Sequence, residues 1–111
     1  MYGVKEIDAM GLSALIDSDE DVHLIDVRSA GEYNQGIIKD GVFMPLHTLP
    51  LRLSDLPENK TLVFYCRSGA RSAQACMFLK QQTNREAINL KGGIISWYQS
   101  GLEITQPENH V

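Results

Sequence analysis

The chain has 111 residues, 43% of them hydrophobic and 22% charged, with 14 acidic against 10 basic side chains and a formal net charge of -4. That size and balance imply one soluble globular domain over 1–111, able to bury a core without disulfides or metal. The acidic balance excludes broad attraction to nucleic acid or an anionic membrane, and no apolar run reaches membrane-spanning length, so an anionic ligand has to be met locally.

Residues 1–21 lack the basic and apolar stretches of an export signal. Cys66 and Cys76 make no disulfide framework, so a reducing, cytoplasmic compartment is expected. Asp8 is placed to cap a helix over 9–16, and an apolar strand follows over 22–27. Ser29 with Glu32 forms a capping-box pattern opening a helix over 30–34. A short strand over 42–44 and a helix over 49–56 lead to a strand over 61–66. The helix over 71–82 carries Ala73, Ala75, Cys76, Met77, Phe78 and Leu79 around more than half its circumference, as expected beside a sheet. A strand over 87–90 and a helix over 94–100 complete the pattern, and the tail over 105–111, with little to bury, is expected to fray. Strand and helix alternate throughout, which implies an α/β fold.

The segment Cys66-Arg67-Ser68-Gly69-Ala70-Arg71-Ser72 runs directly from a strand into a helix. In a parallel α/β sheet ligands bind beyond the carboxyl ends of strands, which is where Cys66 would sit. Small residues around Gly69 let backbone N–H groups converge on the sulfur above a helix N-terminus. An ordinary thiol with a pKa of about 8.5 is only ~3% ionised at pH 7, whereas a helix terminus and nearby cations make it a standing nucleophile. Between Asn59 and Arg85 lie five cations, Lys60, Arg67, Arg71, Lys80 and Arg85, and no carboxylate. Arg67 and Arg71 suit a small oxyanion. Two arginines and a glycine are poor core material, so Cys66 is read as functional, while Cys76, mid-helix among apolar residues, is read as packing.

A cysteine phosphatase or arsenate reductase is disfavoured by counting. The phosphatase signature places arginine after five intervening residues, where this chain has Ser72; the arginine comes one place early, at Arg71. The loop instead resembles the active-site loop of single-domain rhodaneses, the thiosulfate sulfurtransferases. Leu24-Ile25-Asp26-Val27-Arg28 with Glu32-Tyr33, the segment from Gly36 to Leu46, and Gly92-Gly93 with Trp97 and Gly101 resemble further family segments in order. The resemblance spans roughly Ile7 to Leu102. It departs at Ile37, where the family often has histidine, and at Glu103, where proline is common.

The resemblance implies a central, mostly parallel sheet of about five strands flanked by helices. It also implies a mechanism in which Cys66 takes the outer sulfur of thiosulfate as a persulfide and passes it to a thiol, of the thioredoxin or glutathione kind, or to cyanide. Arg67 and Arg71 would hold sulfonate oxygens, and the backbone from Arg67 through Ser68, Gly69, Ala70, Arg71 and Ser72 would hold the persulfide, with Ser68 and Ser72 hydroxyls adding donors. No metal or other cofactor is called for. A carrier that exchanges its persulfide with protein partners is the alternative from a different class. Asp26, Arg28 and Glu32 are read as structural, Trp97 and Tyr98 as core and rim, and His23 and His47 as bystanders.

Overall fold

Five short strands lie side by side in the computed structural model, which describes residues 3–18 and 21–111. They are β1 (Lys5–Ile7), β2 (Val22–Asp26), β3 (Val42–Phe43), β4 (Thr61–Tyr65) and β5 (Ile88–Leu90). Their order is β1-β5-β4-β2-β3, and every pairing is parallel. The helices are α1 (Ala9–Asp17), α2 (Ala30–Gln35), α3 (Ala70–Thr83) and α4 (Gly93–Gln99).

Side chains of β4 alternate between two cores, as a period of two requires. Leu62, Phe64 and Cys66 face one cluster with Ile25, Val27, Ala75, Cys76 and Leu79. Val63 and Tyr65 face the other with Leu12, Leu24, Leu90, Ile94 and Trp97. A sheet covered on both faces explains why the strands read as nearly continuous apolar runs.

Local signals set the helix starts. The Asp8 side chain accepts from Gly11 N–H at 2.7 Å and caps α1. Ser29 and Glu32 form the expected capping box of α2. Three sequence expectations are corrected. The stretch 49–56 is two 3₁₀ turns, Leu46–Leu51 and Leu53–Asp55, interrupted at Arg52 and ended at Leu56, which is extended as a residue before proline prefers. β1 has no counterpart among the predicted strands: three residues, two of them charged and exposed, gain their order by pairing with β5. The tail, expected to fray, lies packed against the domain. Thr105 bridges Ile37 with reciprocal 2.8 Å hydrogen bonds, Val111 N–H donates to Asn34 Oδ1 at 2.8 Å, and Pro107 is buried. Ile37 is itself buried, 5% exposed, beneath this return of the chain.

Candidate active site

Cys66 stands at the carboxyl end of β4. Since the chain leaves β2 for β3 on one side and leaves β4 for β5 on the other, these connections diverge and open a crevice between the ends of β2 and β4. Gly69, with φ of 105°, turns the chain into α3 through a left-handed conformation that a side chain would strain. The turn aims amides inward. Gly69 N–H donates to Cys66 Sγ at 3.1 Å, Ser72 N–H at 3.5 Å and the Ser72 hydroxyl at 3.3 Å. The sulfur thus meets the N-terminus of a 14-residue helix, whose first amides lack backbone acceptors.

Two opposing effects act on this thiol. Burial, to 1% exposure, pushes its pKa up; hydrogen bonds from the Ser72 hydroxyl and the Ser72, Gly69 and Ser68 amides outweigh it and hold the pKa below its ordinary value. Hydrogen bonding, more than the arginines singled out in the sequence, carries the effect. Cys76 shows the contrast. It is a free thiol packed mid-helix, and burial pushes it up to about 12.

The loop is held from below by α4. Ile94 N–H donates to the Cys66 carbonyl at 2.9 Å and Ile95 N–H to the Arg67 carbonyl at 3.2 Å. Only glycine permits this approach at position 93: φ is 63°, and a Cβ there would overlap both carbonyls.

The two loop arginines differ. Arg67 is exposed. Arg71 is committed to Glu32, Nη1 to Oε1 at 2.7 Å and Nη2 to Oε2 at 2.8 Å. That pairing and the Ser29 hydrogen bonds overcome partial burial and hold the Glu32 carboxyl down to about 2. Glu32 therefore both caps α2 and anchors Arg71. The structural reading of Asp26 and Arg28 agrees with the geometry. Arg28 Nη2 donates to Asp26 Oδ2 at 2.8 Å and to the Gly36 carbonyl at 2.7 Å, and its guanidinium lies 5.6 Å from the Tyr65 ring centre.

Two clefts open at this end of the sheet. One, of about 630 Å³, is lined by Phe43, Pro45, Leu46, His47, Arg52 and Arg71 among others. The second, of about 390 Å³, is lined by Arg28, Glu32, Arg67, Ile95 and Tyr98 among others. Cys66 lines neither; Arg71 and Arg67 are the loop residues that do. Residues 66–72 are thus gathered at one place, with Ser68 and Ala70 exposed and Ser72 buried. Sequence reasoning missed Asn89, buried beside Ser72, although a polar residue between Ile88 and Leu90 in a short apolar strand was a legible signal.

Comparison with known proteins bears on the family and the fold. Residues 9–100 match the model of the rhodanese-like domain. A protein of Allochromatium vinosum named sulfurtransferase is 48% identical over 105 residues, covering 95% of this chain and 98% of that one. YtwF of Bacillus subtilis, provisionally named a sulfurtransferase, is 35% identical over 106 residues, covering 96% and 98%. The crystal structure of a rhodanese-related protein from Thermoplasma volcanium superposes with a TM-score of 0.83 at 29% identity, covering 91% of this chain and 97% of that one.

Proposed function

The chain belongs to the rhodanese-like domain family, and from that premise we propose that it moves sulfane sulfur from thiosulfate, or from a persulfide donor, to a thiol or cyanide through Cys66. The observation that carries the reading is the set of donors converging on Cys66 Sγ from Gly69 and Ser72. Donors aimed at one sulfur stabilise negative charge there without a separate base.

In the first half-reaction the Cys66 thiolate attacks the outer sulfur of thiosulfate. The bond between the two thiosulfate sulfurs breaks, sulfite leaves with its electron pair, and a Cys66 persulfide remains. In the second, an acceptor thiolate or cyanide attacks the outer sulfur and the Cys66 thiolate leaves, so a ping-pong order follows. Arg67, exposed at the second cleft, supplies charge for sulfonate oxygens, while Arg71, whose terminal nitrogens already serve Glu32, lines the first cleft as half of an ion pair.

The test is the intact mass of the protein after incubation with thiosulfate, without reductant. The wild type gains one sulfur and Cys66→Ala gains none. Equal labelling of Cys66→Ala would move the site to Cys76 and overturn the proposal. A carrier loaded by another protein would show slow turnover of thiosulfate and fast exchange with a persulfidated protein donor.

A further inference from the structure

Ser72 has one hydroxyl proton and two acceptors within reach. Its Oγ lies 3.3 Å from Cys66 Sγ and 2.5 Å from Asn89 Oδ1. Ser72 is wholly buried and Asn89 is 1% exposed. The Asn89 carboxamide is held in one orientation, because Nδ2 donates to Glu6 Oε2 at 3.0 Å and to the Gly69 carbonyl at 3.1 Å. Turning it over would set Oδ1 against two groups that can only accept. Oδ1 is thereby fixed against Ser72 as an acceptor.

We propose that Asn89 is a positioning residue acting through Ser72: it takes the hydroxyl proton when Cys66 Sγ is uncharged and yields it when Sγ is a thiolate. No covalent bond changes in this switch; the hydroxyl rotates and one hydrogen bond replaces another. When the hydroxyl turns to the thiolate, Asn89 Oδ1 is left buried without its Ser72 donor, which has a desolvation cost. Asn89 therefore opposes the thiolate and favours any state whose charge has left Sγ. Resting on the function proposed above, that state includes the persulfide, whose charge sits on the outer sulfur, so Asn89 favours the persulfide relative to the thiolate. Among the described residues, the charged groups near the switch are Arg71 on α3, which is paired with Glu32 of α2, and Glu6 on β1, which holds the amide.

The experiment follows the Asn89 side-chain carbonyl carbon by NMR in ¹³C-labelled wild-type protein while Cys66 is titrated. The resonance moves with the Cys66 midpoint, and in Ser72→Ala the movement collapses. A resonance that stays flat in the wild type, or moves undiminished in Ser72→Ala, overturns the switch. In Asn89→Leu the Cys66 midpoint falls by about half a pH unit, the scale of one hydrogen bond. A midpoint that is unchanged or raised is equally fatal, and the wild-type measurement decides the matter if the leucine variant does not fold. None of these readings uses a sulfur donor, so their failure is distinct from failure to form a persulfide.

Discussion

Replacing Glu32 with Gln tests whether the anchor of Arg71 carries stability, because glutamine retains an oxygen for the Ser29 capping bonds while losing the charge. Which energy scale applies is decided by exposure. A buried ion pair broken on one side costs about 3–5 kcal/mol, whereas an exposed pair is worth about 0.2–1 kcal/mol. The Arg71 and Glu32 side chains are 37% and 25% exposed, which places the pair on the exposed scale, and its two short, near-parallel hydrogen bonds place it at the upper end. A double-mutant cycle of Glu32→Gln and Arg71→Gln, read by urea unfolding at pH 7, is expected to give a coupling of about 1 kcal/mol, or about 4 °C in Tm. The acid response carries the same information. The folded value of Glu32, about 2, lies below its ordinary 4.5, so its stabilisation is present above pH 4.5 and is lost as pH falls towards 2. Wild type should lose more stability than Glu32→Gln across that window. Zero coupling with identical acid curves would refute the assignment.

Other perturbations separate the supports of the site. Asp26→Ala leaves Arg28 buried without its carboxylate and should destabilise by about 3–5 kcal/mol in urea unfolding; a loss below about 1 kcal/mol would mean that the Gly36 carbonyl and Tyr65 suffice. Gly93→Ala forces a left-handed alanine, at about 1–2 kcal/mol, and displaces the Cys66 and Arg67 carbonyls, so melting temperature and the rate of Cys66 alkylation should fall together. Arg67→Ala, at an exposed position, should change stability by no more than about 0.5 kcal/mol while raising KM for thiosulfate; an unchanged KM would remove Arg67 from substrate binding.

Much of this architecture is written locally. Asp8, and Ser29 with Glu32, mark helix starts because capping depends on residues three apart, and the apolar runs at 22–27 and 61–66 mark strands because both sheet faces are covered. What stayed hidden depends on contacts distant in sequence. β1 exists through its pairing with β5, and the tail is ordered through Asn34, Gln35 and Ile37. The same division runs through the site. Cys66, Gly69 and Ser72 are contiguous enough to be read as one loop, whereas the engagement of Arg71 by Glu32, 39 residues away, and of Ser72 by Asn89, 17 away, appears only once the chain is folded. The stretch 49–56 shows a different failure. Its apolar residues suggest a helix, but the chain breaks at Arg52 and is extended at Leu56 before Pro57, leaving two 3₁₀ turns.

The central claim is that folding gives one sulfur of this chain donors enough to hold its pKa below that of an ordinary thiol, and the two cysteines allow a direct comparison within one molecule. Alkylation of the native protein should be followed from pH 5 to 10 by peptide mass, with Cys66→Ala as the control. The account predicts that Cys66 reacts with a midpoint clearly below 8.5, while Cys76, pushed up to about 12, stays unmodified throughout. A Cys66 midpoint at or above 8.5, or equal reactivity of the two thiols, would contradict it.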